Sequence, residues 1–347
     1  MAFEPTERST IGATGVAVTR LGFGSASIGG LFRPVADADA QAVVGEAWRL
    51  GIRYFDVAPL YGYGTAERRL GAALAARARD EFVVSTKVGR LVRRTGEIPA
   101  GADVDAQALD GRADAYYADI DDRRIVFDFS YDGILRSVDE SLERLGLDRI
   151  DILLVHDPDA HEHAALDGAF PALRRLREEG VVRAIGAGMN QTPMLARFLR
   201  EQDLDVLLVA GRYTLLDQGA LADLLPLCTE RGVAVVIGGV MNSGVLADPR
   251  PGSAFDYAPA SDAIVERARR IAAVCERHGV PLKSAAVQFP LAHPAVVSVV
   301  AGVRRIEHLD EYPALMRREI PGDLWLELRR EGLLDPDAPV PTTDRSR

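Results

Sequence analysis

The chain is poor in cysteine, in excess basic charge and in long apolar runs, and each shortage excludes a class of protein. Two cysteines in 347 residues, Cys228 and Cys275, cannot build a disulfide framework. They fit buried thiols in a reducing compartment. Lysine and arginine number 41 against 51 aspartates and glutamates, a net charge of −10, and no basic run marks a nucleic-acid surface. No stretch approaches the roughly 18 apolar residues of a membrane helix. The opening MAFEPTERST is charged where an export signal is apolar, so a cytoplasmic protein is expected. What remains is a globular composition, 48% apolar and 27% charged, on a chain long enough to bury a large core.

Short β-branched apolar runs alternate with longer segments of helical period, the pattern of repeated βα units around a parallel sheet. The strands read as Thr19–Gly24, Ile52–Val57, Phe82–Val88, Ile150–Asp157, Val182–Met189, Val206–Gly211, Val233–Val240 and Val296–Gly302. Helical patterns lie between them at Asp37–Leu50, Ala66–Ala78, Tyr131–Leu145, Phe170–Glu179, Thr192–Glu201, Ala220–Arg231, Ser261–His278 and Glu307–Arg318. Gly51, Gly146, Gly180, Gly232 and Gly279 stand where left-handed C-caps belong. Eight such units predict an α/β fold, a (β/α)8 TIM barrel; the alternative, a doubly wound sheet, needs a G-x-G-x-x-G turn that LGFGSASIGG (21–30) lacks. TIGATGVAVT (10–19) reads as an N-terminal β-hairpin able to plug the barrel floor. One domain over 1–334 is expected, with a long irregular connection at Arg90–Asp128 and a loose tail at 335–347.

Chemistry in such a barrel sits at the C-terminal strand ends. Asp56 ends YFDVAP, Lys87 ends STKVG, His156 ends LLVHD, and Tyr61 follows in PLYGYG, so strands two, three and four bring four ionisable groups toward one pocket. A free phenol, with a pKa near about 10, is a poor base; a neighbouring ammonium stabilises its phenolate. Lys87 is placed for that, Asp56 to hold the lysine charged, and His156 to orient the reacting oxygen. There is no G-x-S-x-G nucleophile elbow. Proton transfer coupled to hydride transfer is the natural reading. HDPDAHEH (156–163) is dense in His and Asp, but a metal site needs fixed ligand spacing and a second shell, and none is expected here.

These residues resemble the aldo-keto reductase superfamily, whose members use an Asp, Tyr, Lys and His tetrad on a TIM barrel. FDVAPLYGYGTAERRLG (55–71), STKVG (85–89) and VDESLERLGLDRIDILLVHD (138–157) carry the likeness, which implies that Asp56, Tyr61, Lys87 and His156 are the catalytic tetrad. FDFSYDGILRSVDESL (127–142), AGRYTLLDQ (210–218) and VIGGVMNSGVLA (236–247) narrow it to the branch containing D-threo-aldose, L-fucose and L-galactose dehydrogenases and pyridoxal 4-dehydrogenase. The resemblance implies oxidation of the C1 hemiacetal of an aldose, such as L-fucose, D-arabinose or L-galactose, to a lactone by hydride transfer to NAD(P). Two alternatives share the scaffold: oxidation of pyridoxal, and a dinucleotide-binding regulatory subunit with little turnover.

The resemblance further implies dinucleotide contacts from Gly24, Ser25, Asp56, Asn190, Asn242, Ser243, Gly244, Leu246, Gly302, Arg304, His308 and Glu311. Ala210 and Gly238 stand where many relatives place Gln and Tyr beside the nicotinamide. Gly302 and His308 stand where relatives grip a 2′-phosphate with Lys and Arg, which favours NAD over NADP, with Arg304 and Arg305 near enough to compensate. Tyr61, His156, Phe127, Phe129 and Arg212 are the expected substrate contacts; Tyr63, Tyr116, Tyr117 and Tyr213 are further candidates. The expected partner is a small sugar or cyclic hemiacetal, with no nucleic acid or membrane, and the chain a monomer or homodimer.

Overall fold

A computed structural model of the chain describes residues 2–105, 117–118 and 120–341. Eight parallel strands close into a barrel in chain order: β3 (Leu21–Gly24), β4 (Tyr54–Asp56), β5 (Val83–Val88), β8 (Ile152–His156), β9 (Ala184–Met189), β10 (Val206–Ala210), β11 (Ala234–Gly238) and β14 (Val296–Ala301). All eight expected strands are present, each shorter than its apolar run, because the run continues into buried loop ends. A hairpin of β1 (Arg8–Thr10) and β2 (Ala17–Thr19) precedes the barrel.

Alternation along each strand divides the core in two. Outward residues such as Phe55, Leu153, Ile185, Leu207 and Ile237 pack under the helices. Inward residues Tyr54, Val83, Ile152, Leu154, Val206 and Val236 form a second cluster with Ile11, Val16 and Val18 of the hairpin, which are fully buried. The hairpin therefore seals the barrel floor. Burying a side chain the size of Ile11 contributes roughly 1.5–3 kcal/mol.

Several regions depart from the sequence reading. The long connection at 90–128 is not wholly irregular: β6 (Arg90–Arg94) and β7 (Arg123–Phe127) form an antiparallel hairpin at the barrel mouth. Tyr116 lies outside the described residues. Two helices, Leu282–Gln288 and Gly322–Arg330, were not expected. The tail is packed at its start: Ala338 is fully buried and its carbonyl accepts from Arg329 at 2.7 Å. β12 (Ala254–Phe255) and β13 (Ala258–Pro259) make a further short hairpin at the mouth. Among the described residues no helix is long and apolar enough to cross a membrane.

Candidate active site

Inward positions of the barrel change character from floor to mouth. Two residues above Tyr54 stands Asp56, four above Val83 stands Lys87, and two above Leu154 stands His156. A side-chain period of two thus carries three polar groups into the same space as the apolar floor, one layer higher. On the opposite wall the same layer is Gly188, Ala210 and Gly238, with His156 registered against Gly188 and Ala210 against Gly238. One side of the mouth is charged; the other is open.

Lys87 is almost fully buried and donates to Asp56 Oδ2 at 2.8 Å and to the Val57 carbonyl at 3.0 Å. Ser85 donates to Asp56 Oδ1 at 2.8 Å and lies 3.0 Å from the Tyr54 hydroxyl, so both carboxylate oxygens are held. The Lys87 ammonium sits 4.7 Å from the centre of the Tyr61 ring, and the His156 ring meets Tyr61 edge-on with centroids 5.9 Å apart. All four residues of the expected tetrad converge.

The loop carrying Tyr61 is seated by glycines. A Cβ on Gly62, whose φ is +61°, would fall 2.1 Å from the Gly29 carbonyl oxygen, and one on Gly29 would fall 2.8 Å from the Tyr61 carbonyl carbon. Only two bare backbones fit there. On the outer face of β5, Thr86 donates to Glu67, fully buried, which also pairs with Arg144. The helices Thr65–Leu74 and Tyr131–Leu145 are thereby tied to the strand that carries Lys87.

The electrostatics correct one expectation. Burial, with the Asp56 carboxylate next, pushes the Tyr61 phenol well above its ordinary value rather than below it. The main physical reason is burial, which disfavours the phenolate; the Lys87 ammonium is engaged by Asp56 at 2.8 Å. Burial, then the cations of Arg90 and Lys87, hold the His156 imidazole well below its usual range. Phenol and imidazole are thus both pushed toward their uncharged forms, beside the 2.8 Å contact of Lys87 with Asp56.

Two cavities meet at Tyr61. The first, about 480 Å³, is walled by Tyr61, Lys87 and His156 together with Arg90, Asp105, Tyr117, Phe127, Asp157 and Asn190. The second, a groove of about 700 Å³, runs from Gly24, Ser25 and Asp56 past Gly238, Ser243 and Gly244 to Gly302, Arg304, His308 and Glu311. Tyr61, Leu31, Leu208, Ala210 and Tyr257 border both.

Several expected contacts fall elsewhere. Asn190 lines the first cavity, not the groove. Asn242 is buried with its amide donating to the Gly211 carbonyl at 3.2 Å, and Leu246 is fully buried in the core, so the pyrophosphate contact expected of this stretch falls to its backbone. Arg212 does not line the substrate cavity; it pairs with Asp256, which does, at 2.6 Å, and with Asp217. Phe129 is buried behind Phe127 and stacks on His161, while Tyr213 is buried against Phe289 and His293. Tyr63 and Tyr117 line the cavity as candidates. Arg90, Asp157, Arg250 and Lys283 line the cavities without having been singled out, because a strand-end charge or a lone lysine carries no signal until the fold brings it to a wall.

The groove suits a dinucleotide. Ser25 Oγ is buried with no partner among the described residues, and Ser243 and Gly244, both at positive φ (56° and 106°), bring a tight turn of backbone to the groove wall. Gly24, Gly238 and Gly302 keep its floor free of side chains.

Barrel and site together define a hydride-transfer enzyme, and the Aldo/keto reductase family model matches residues 20–328. The chain belongs to that family; it is an oxidoreductase that works with a nicotinamide dinucleotide. It is 47% identical over 326 residues to D-threo-aldose 1-dehydrogenase of Pseudomonas sp, covering 93% of this chain and 96% of that one. It is 44% identical over 345 residues to pyridoxal 4-dehydrogenase of Microbacterium luteolum, covering 96% and 100%. Among solved structures, the holo form of an aldo-keto reductase from Bacillus halodurans superposes with a TM-score of 0.70 at 24% identity, covering 98% of this chain and 100% of that one.

Proposed function

We propose that the enzyme oxidises the C1 hemiacetal of an aldose to the lactone, with Tyr61, Lys87, Asp56 and His156 as its catalytic set. The observation that carries this reading is Tyr61 standing in the wall shared by the dinucleotide groove and the substrate cavity, against Lys87 and His156. A nicotinamide dinucleotide held by Ser25, the Ser243–Gly244 backbone, Arg304 and Glu311 supplies the hydride acceptor. As the C1–H bond breaks with its electron pair, the anomeric hydroxyl loses its proton and the C1–O bond becomes a carbonyl. Tyr61, once deprotonated, accepts that proton. The Lys87 ammonium stabilises the phenolate within its contact with Asp56, and the neutral His156 holds the reacting oxygen.

A sugar suits the cavity because Arg90, Asp105, Asp157, Asp159 and Asn190 supply polar partners for several hydroxyls, with Phe127 and Tyr117 as ring faces. For the dinucleotide we infer NAD. Glu311 lines the groove and its carboxylate takes Lys283 at 2.7 Å, which neutralises a cation that would otherwise face a 2′-phosphate. A carboxylate there suits a ribose hydroxyl.

The test is a panel of aldoses and pyridoxal with each dinucleotide, read by absorbance of the reduced nicotinamide. Rapid turnover of L-fucose or D-arabinose with NAD supports the reading. Turnover confined to pyridoxal, the substrate named for the Microbacterium relative, replaces it, and failure of every substrate removes it.

A further inference from the structure

We propose that Asp157, braced by Arg90, is the specificity residue that accepts the hydroxyl on the carbon next to the reacting C1, so that the enzyme selects 2-hydroxylated ring hemiacetals. This rests on the aldose reading above.

Asp157 Oδ2 lies 3.5 Å from Nε2 of His156, the imidazole that holds the reacting oxygen in that reading. Vicinal oxygens of a sugar ring are about one hydrogen-bond length apart. A substrate whose C1 oxygen meets His156 therefore brings its C2 hydroxyl to the Asp157 carboxylate, and a hemiacetal with no such hydroxyl leaves that carboxylate facing carbon. The side chain keeps 26% of its surface open, and the residue lines the cavity.

Its placement is held at a cost. Asp157 has a φ of +40° and is followed by Pro158, a combination of left-handed backbone and pre-proline restriction that a side chain adopts only where its surroundings enforce it. Arg90 provides the enforcement. Its guanidinium donates to the carbonyls of His156 and Asp157, each at 3.4 Å, and lies 3.6 Å from Asp157 Oδ2. Asp105 anchors the other side at 3.3 Å, and the Phe127 ring stacks at 5.1 Å. Arg90 is nearly buried, and its contacts to His156 and Asp157 are made from the hairpin at the mouth. A polar group that the bound substrate covers, and that is built to pair with its hydroxyl, rejects the analogue lacking it far more strongly than an apolar pocket can.

D-Arabinose and 2-deoxy-D-ribose differ only at the C2 hydroxyl and provide the probe. Wild-type kcat/KM is expected to fall by about 10- to 100-fold on removing that hydroxyl, the range for a hydrogen bond to a charged group. In Asp157→Ala the two substrates should come within a few-fold of each other, through loss on arabinose and little change on the deoxy sugar. Asp157→Asn, which keeps shape and one acceptor, should fall between. General damage to the site would lower both substrates alike and preserve their ratio; that outcome, or a wild type indifferent to the hydroxyl, overturns the proposal while the aldose reading stands. A wild type that oxidises pyridoxal and no aldose overturns both.

Discussion

The floor and the mouth of this barrel are built from the same strands, two to four residues apart, yet they are stabilised by opposite means. At the floor Ile11, Val16 and Val18 close on Val83, Ile152 and Val206, a cluster of apolar side chains. At the mouth Asp56 and Lys87 are buried as an ion pair with every carboxylate oxygen occupied. A floor gains stability from each buried methylene; a mouth loses solvation for two ions and recovers it only through their contact and its hydrogen bonds. The contrast separates residues that hold the barrel from residues that act in it, and it can be broken from either end.

The largest effect is expected for Tyr61→Phe, which removes a proton acceptor and almost no volume. Turnover should fall by about 10²–10⁴-fold, as for loss of a general base, while dinucleotide affinity, read by fluorescence titration, stays within a few-fold. Retained turnover would place the proton elsewhere. Lys87→Met leaves the Asp56 carboxylate buried and unpaired and should cost about 3–5 kcal/mol in urea unfolding; adding Asp56→Leu should recover much of that stability and none of the activity. If the double variant is no more stable than the single one, the mouth is not the ionic opposite of the floor. Ile11→Ala should cost about 2–5 kcal/mol by cavity formation, with kcat unchanged well below the melting temperature.

The pH profile sharpens the same contrast. The Tyr61 phenol lies above its ordinary value, so its phenolate fraction rises about tenfold per pH unit through neutrality. Oxidation should accordingly climb with pH and show no plateau below about pH 10. The His156 imidazole lies below its ordinary range and stays neutral, so no second limb should appear near its usual value of about 6.5. A plateau at neutral pH would mean that another group takes the proton. The smallest change is expected from His308→Arg, which should move the NADP to NAD ratio of kcat/KM toward NADP by about tenfold, worth roughly 1.4 kcal/mol of phosphate contact. An unchanged ratio would remove His308 from the 2′ end of the groove.

Particular residues show what could be read without coordinates. The eight strands were legible because short β-branched apolar runs alternate with helical periods, five of which end at glycine. Helix Leu282–Gln288 was not, since LKSAAVQ is seven residues rich in small side chains with no apolar stripe; Gly322–Arg330 was not, since it follows the last strand and belongs to no βα unit. Asp56, Lys87 and His156 were legible as strand ends. Arg90 was not, because it begins a hairpin strand of its own and reaches His156 across 66 residues of sequence.

The sequence by itself determined the barrel, its plugged floor and the identity of the four groups at its mouth, because period and chain order are local properties that a string of residues carries. Tertiary structure alone decided the burial that raises the Tyr61 phenol, the pairing of Arg212 with Asp256 and that of Lys283 with Glu311. Those depend on which charges meet and how much water is excluded, and both are set by distances between segments that only the closed fold brings together.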